Sequence, residues 1–534
     1  MTRRAIWTTV ALAVAMAWPG GAQTRSSPPA LHNHPKILFG PSRPLFVGNA
    51  DPERLRVLRK NDKAAGDWGG GGCPSIEQMR GLVDGYLATP HPAFPGLGST
   101  TPGLSTSWSS RDCGTFTYAA GLRNVEEDKP LTPASLMGLA SMTKPIVAAL
   151  TLMLNDSGVF GAGGLDTPVD RLLTPQQIAA LTTGDDPAQP RCPGSAMLLN
   201  RQTQAFELTA FSCPDLSKVT LRHLMISNHG MYDFLNEVGS PGFFSQYLEG
   251  VYFEVLQALG IPAVPPPNSN SGYEVLKAYG LKGNTSAVVG GNLAFQDLEI
   301  SFGNTGFQLL GVILEHQTGR SLDDLIRTLI VEPLGTDDIF VYLDPRKGRN
   351  QIADGYDVET GEPLIETTGV YPLVSLNGHT AVNTLNLGLG RPGNVNLAGA
   401  AGGLVANQKS YRRFLDAFVN GGLLGAQAQT ALDNSYIFLP DLSNLPVIAT
   451  SNGFGLVKQA VRGLPGVQNL DIYAHNGSLP GARCENAVIR RPDPSIAPVT
   501  GAFCQNSNGL LFPAPSSLLF EFIDIITNAS PGSQ

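Results

Sequence analysis

Apolar residues recur at helical spacing in "SIEQMRGLVDGYL", where Ile76, Met79, Leu82, Val83 and Leu87 share one side. The next patterned run, "GTFTYAAGL", is rich in aromatic and β-branched residues and predicts a strand. "SMTKPIVAALTLMLNDSG" predicts a helix that is apolar nearly all round, hence central and buried: Pro145 is tolerated only in its first turn, and Asp156-Ser157-Gly158 supplies the stop. The middle of the chain reads as helices and long loops, among them "IPAVPPPNSNSGY". A glycine pair in "AAGGLVANQKSYRRFLDAFVNGG" then leads into an amphipathic helix. The strand-like runs "NGFGLVKQAV", "DIYAHNG" and "NAVIRRP" precede a final apolar helix, "SSLLFEFIDIITN". Strands near both ends with helices between predict an α/β (α+β) architecture: one sheet assembled from the two ends, an inserted helical lobe, and a cleft between them where a ligand would sit.

Composition refines this picture. The 534 residues exceed what one hydrophobic core usually holds, and 42% hydrophobic content can build a two-lobed fold. "MTRRAIWTTVALAVAMAWPGGAQT" places Arg3 and Arg4 before an apolar run too short to span a membrane, so residues 1–23 read as a secretory signal peptide. Residues 24–72, polar and Pro-rich, read as a flexible lead-in, and 73–530 as the folded domain. Within it the sheet lobe is expected over about 73–165 and 400–530, and the helical lobe over about 166–399. A net charge of −8 argues against nucleic acid as a partner, and no span is expected after signal removal. The expected location is secreted or periplasmic. Six cysteines without a Cys-x-x-Cys spacing fit an oxidising compartment. The nearest pairings are Cys192–Cys213, Cys484–Cys504 and Cys73–Cys113, with metal ligation the alternative. No metal or cofactor is expected.

The chemistry centres on Ser141 and Lys144, the only Ser-x-x-Lys in the chain. A serine hydroxyl is a poor nucleophile until a base takes its proton, and a lysine can be that base if burial favours its neutral form. The plain alternative is a helix-capping serine beside a solvated first-turn lysine. No Gly-x-Ser-x-Gly elbow, His-Glu-x-x-His or phosphate loop competes with it.

"LTPASLMGLASMTKPIVAALTLMLNDSGVF" resembles the serine hydrolases related to class C β-lactamases, D-Ala-D-Ala carboxypeptidases and their esterase cousins. Further segments follow in that family's order: "VTLRHLMISNHGMYDF", "FGNTGFQLLGVILEHQTGR", the glycine-pair helix, and "AHNGSLPGARCENAVIRRPDP". Together they cover roughly residues 75 to 525. The resemblance implies a β-lactamase/transpeptidase-like fold in which Ser141 forms an acyl-enzyme and Lys144 acts as base or as the charge that activates one. It further implies an oxyanion hole from the N–H groups of Ser141 and Ser478, with Asn304 orienting the substrate and His475 and Gly477 in the third motif. The family's Tyr-x-Asn is Phe302-Gly303-Asn304 here, so the phenol is missing; Tyr232 is a candidate substitute, and so is a relay through His475, which would titrate near the ordinary histidine value of about 6.5. Histidine in place of the third-motif lysine favours a neutral ester or amide over a β-lactam. The expected function is an exported serine hydrolase acting on a small ester, amide or peptide-like substrate. The alternatives are a β-lactamase or penicillin-binding carboxypeptidase, and a non-catalytic ligand-binding homologue.

Overall fold

The computed structural model describes residues 68, 73–89, 99–183, 192, 194–200, 205–231, 257–258, 271–283, 303–336, 338–341, 352–357, 373–377, 379–383, 398–438, 448–462, 469–479, 481–507 and 515–528. Its largest sheet has nine strands: β1 (Gly103–Ser110), β2 (Gly114–Asn124), β3 (Lys129–Pro130), β4 (Ile437–Phe438), β5 (Ile448–Asn452), β6 (Val457–Val461), β7 (Leu470–Leu479), β8 (Ala482–Arg490) and β9 (Val499–Gln505). They lie in the order β4-β5-β6-β7-β8-β9-β1-β2-β3, every neighbouring pair antiparallel. The sheet therefore joins the two ends of the chain, as the pattern predicts.

Alternation along β8 assigns the two faces. Ala487 and Ile489 pack with Met79 and Val83 of α1 (Ile76–Ala88) and Phe522 of the C-terminal helix α6 (Pro515–Asn528). Cys484 and Val488 face the opposite core, with α2 (Thr143–Asp156), α4 (Asn304–Thr318) and α5 (Gln408–Val419). A short helix, α3 (Leu221–Met225), packs against α4 on that side. The helix α1 starts at Ser75, whose hydroxyl accepts from the Gln78 N–H while the Gln78 side chain returns to the Ser75 N–H.

The structure departs from the sequence reading in four places. Strand β1, "GLSTSWSS", carries no apolar alternation, yet it is buried between β9 and β2. Its Trp108 lies 4.8 Å from Phe522, centroid to centroid, and crosses β9 at Gly501, where any Cβ would fall 2.2 Å from the indole. The run "NGFGLVKQAV" is broken rather than one strand: β5 ends at Asn452, Gly453 N–H bonds the Leu456 carbonyl across a turn, and β6 begins at Val457. The middle of the chain holds more than helices, with a hairpin of Gly194–Asn200 and Ala205–Phe211 and a three-stranded sheet of Tyr356–Asp357, Leu373–Leu376 and His379–Asn383. Trp68, within the segment read as lead-in, is buried against α1 and β1 and donates its indole N–H to the Pro74 carbonyl.

All three expected disulfides are present: Cys73–Cys113, Cys192–Cys213 and Cys484–Cys504. Cys484 and Cys504 are direct cross-strand partners on β8 and β9, so this bridge braces the strand beside β7. Among the described residues no helix is long and apolar enough to cross a membrane, and no group of three or more His, Cys, Asp or Glu side chains could hold a metal ion.

One side chain on the α1 face sets a pH dependence of stability. Burial holds the Glu485 carboxyl up at about 7, with Arg483 opposing the shift. An acid raised on folding contributes stability that is present below its unfolded value and lost as pH rises through the folded one. Glu485→Gln should therefore leave the melting temperature unchanged at pH 4 and raise it at pH 8, by the equivalent of about 3 kcal/mol. Equal melting temperatures at pH 8 would contradict this.

Candidate active site

Ser141 does not cap a helix. It sits in a tight 3-10 turn, Ala140–Met142, that runs straight into α2, whose own N-cap, Met142, makes no side-chain capping bond. The residue before it, Ala140, has φ +48°, a left-handed conformation costly for a residue with a Cβ. The turn is pinned at its start by the Leu139 N–H, which donates to the Leu404 carbonyl at 2.9 Å. Ser141 is thus half-buried at the mouth of a helix whose residues Thr143 to Leu154 are all buried.

Lys144 is not solvated either, being 2% exposed. Its Nζ lies 2.7 Å from Ser141 Oγ, 2.7 Å from Asn304 Oδ1 and 3.0 Å from the Ala401 carbonyl oxygen, with the Phe307 ring centroid 5.9 Å away. Two of these neighbours can only accept a hydrogen bond, whereas the serine hydroxyl can accept or donate. As an ammonium, Lys144 donates to all three. As an amine, it donates to Asn304 and Ala401 and presents its lone pair to the Ser141 O–H. The same heavy-atom arrangement accommodates both protonation states, as a proton-accepting base requires. Asn304 reaches this point because it opens α4, and Ala401 because the Gly399–Gly402 turn aims its carbonyl at α2.

Gly477 on β7 backs onto the nucleophile turn. A Cβ there would meet the Leu139 carbonyl at 2.3 Å, the Ala140 Cβ at 3.0 Å and the Ser141 nitrogen at 3.1 Å, so only glycine lets the strand approach so closely. His475, two residues earlier on the same face, has Nδ1 2.5 Å from the Asn476 carbonyl; that oxygen only accepts, so Nδ1 carries the proton. Desolvation, and then the neighbouring Lys144 charge, push the His475 imidazole down to about 3. This lies below the value of about 6.5 at which a relay through His475 would titrate. Ser478 follows with its side chain exposed.

The fold therefore brings Ser141, Lys144, Asn304 and Gly477 together, with His475 and Ser478 on the adjoining strand. Phe302 and Tyr232 lie outside the described residues. Three contributors escape sequence reasoning: the Ala401 carbonyl, the Phe307 ring and the buried pair Tyr411 and Asn486. The conspicuous glycine pair after Ala401 was the only signal for the first.

The chain belongs to the Beta-lactamase family, whose profile matches residues 100–279 and 298–500. It is similar to penicillin-binding protein 4* of Bacillus subtilis (strain 168), with 25% identity over 286 residues, 52% of this chain and 48% of that one. It is also similar to the ML-236A carboxylate methylbutanoyltransferase of Penicillium citrinum, with 25% identity over 239 residues, 43% and 44% of the two chains. The chain thus spans about half the length of the curated relatives it matches. Among solved structures, the D-amino acid amidase of Ochrobactrum anthropi SV3 superposes with a TM-score of 0.55 at 18% identity, covering 85% of this chain and 99% of the amidase. The octameric penicillin-binding protein homologue of Pyrococcus abyssi gives 0.51 at 17% identity, covering 90% and 79%. These neighbours establish the β-lactamase/transpeptidase-like fold.

Proposed function

We propose that this protein is an exported serine hydrolase that cleaves a small neutral ester or amide through an acyl-enzyme on Ser141. The observation that carries the reading is the 2.7 Å contact between the buried Lys144 Nζ and Ser141 Oγ, with two acceptor oxygens holding the amine. In the acylation step the Ser141 proton passes to Lys144 as Oγ bonds to the substrate carbonyl carbon. The oxyanion that forms is met by the Ser141 and Ser478 N–H groups. Collapse breaks the bond to the leaving group, which departs with the proton from Lys144. Water then adds to the acyl carbon, Lys144 again taking and returning a proton, and Ser141 is released. Asn304 holds Lys144 and orients the substrate.

Three further points support the reading. The similarity to a methylbutanoyltransferase supports acyl-group chemistry at this site. Three disulfides, and no membrane-spanning helix among the described residues, are compatible with a secreted or periplasmic setting. Because His475 is held neutral, the third motif offers no fixed charge to a substrate carboxylate, which favours a neutral substrate over a β-lactam or a peptide C-terminus. Phe302, in place of the family's tyrosine, favours a second reading: a ligand-binding homologue without turnover.

A chromogenic ester and a chromogenic cephalosporin, each tested on wild type and Ser141→Ala, separate these readings. The expected result is ester hydrolysis that depends on Ser141 and no cephalosporin opening. Cephalosporin turnover exceeding ester turnover would replace the esterase reading with a lactamase one. Turnover of neither, with Ser141 unreactive to a fluorophosphonate, would favour the binding reading.

A further inference from the structure

The reaction proposed above needs two segments far apart in the chain to be held in one relation: the Ala140–Met142 turn and strand β7 around Gly477. A pair of buried side chains links them. Asn486 on β8 and Tyr411 on α5 are both 0% exposed. The His475 backbone N–H donates to Asn486 Oδ1 at 3.1 Å, and Asn486 Nδ2 donates to Tyr411 Oη at 3.1 Å. The Tyr411 O–H in turn donates to the Met142 carbonyl at 2.9 Å. The polarity of this chain has no ambiguity. The peptide N–H at one end can only donate and the peptide carbonyl at the other can only accept, which fixes the Asn486 amide and the Tyr411 hydroxyl between them. Burial raises the Tyr411 phenol well above its usual value, so it keeps the proton it donates. Its ring is packed on Phe414, centroids 5.8 Å apart, so the hydroxyl cannot swing away without disturbing the core.

A buried polar pair is costly unless each group is bonded, and here each end of the pair lands on a segment that carries the chemistry. We infer that Tyr411 and Asn486 are positioning residues that hold β7 and the nucleophile turn at the separation the oxyanion requires. Neither touches the substrate. The two N–H groups assigned to the oxyanion hole, those of Ser141 and Ser478, lie one residue from Met142 and three from His475 respectively, so the bridge ties the two halves of that hole together. This inference rests on the acyl-enzyme reading of Ser141. It acts on transition-state placement rather than on substrate binding, so its loss should fall on kcat.

Tyr411→Phe, Asn486→Leu and the double variant test it, with kcat and KM on one ester, the rate of Ser141 labelling by a fluorophosphonate, and the melting temperature measured for each. Each single variant is expected to lower kcat and the labelling rate by about 10- to 100-fold, with KM changed by about 2-fold or less. The double variant is expected to be no worse than the poorer single, because a bridge is broken only once. If Asn486→Leu does not fold, Asn486→Ser takes its place in the cycle. Wild-type kcat and labelling with only the melting temperature lowered would overturn the inference and leave a purely structural pair. Two effects that multiply would overturn it as well. A wild-type Ser141 that does not react would remove the acyl-enzyme reading and this inference with it. A reactive wild type with unaffected variants would remove the bridge alone.

Discussion

Lys144→Arg is expected to reduce ester turnover by about 10³-fold or more while the protein remains folded. Arginine stays protonated, so it cannot take the Ser141 proton. Its planar guanidinium also cannot reproduce the compact set of contacts that Nζ makes to Ser141, Asn304 and the Ala401 carbonyl. The competing route, a relay through His475, predicts a different pattern. Desolvation keeps that imidazole neutral down to about pH 3. His475→Ala should therefore leave the shape of the pH–rate profile between pH 5 and 9 unchanged, and Tyr232→Phe should be tolerated. Near-wild-type turnover in Lys144→Arg, together with its loss in Tyr232→Phe, would move the base from Lys144 to the tyrosine.

How much of this was legible in the sequence depends on whether the signal lay within one stretch of chain. Ser141 and Lys144 are three residues apart at the start of an unusually apolar helix, so their proximity followed from helical geometry. Asn304 could be placed only through the order of motifs, because nothing local says that α4 begins beside Lys144. Strand β1 was invisible for a physical reason. Three of its hydroxyls find partners on the neighbouring strands: Thr106 donates to the Ala502 carbonyl, and Ser107 and Ser109 pair with Thr117 and Thr115. Seen alone, "GLSTSWSS" looks like a solvated loop. Tyr411 presents a related case. Helical periodicity places it in the core, but its hydroxyl partners lie on α2 and β8, and no one-dimensional pattern records them. The Ala401 carbonyl is a backbone atom, marked in the sequence only by the glycine pair that follows it. The lowered titration of His475 is likewise a property of its surroundings, since it arises from desolvation and the charge of a residue 331 positions away in sequence.

Ser141→Ala is expected to have the largest effect of any single substitution, a loss of about 10⁴-fold or more in turnover. Lysine, asparagine and the oxyanion donors can only assist a covalent step that has Ser141 Oγ as its nucleophile. Without that oxygen, bound substrate faces only water held by groups arranged for a different attack. The fold should survive, because the hydroxyl makes no capping bond and the strained Ala140 turn is held by Leu404 and the packing of α2. The most direct measurement is therefore the mass of the enzyme quenched during turnover of an ester, followed by peptide mapping. The mechanism proposed here predicts one added acyl group on the peptide that contains Ser141, absent in Ser141→Ala. An acyl group on another residue, or full turnover in Ser141→Ala with no adduct in the wild type, would contradict it.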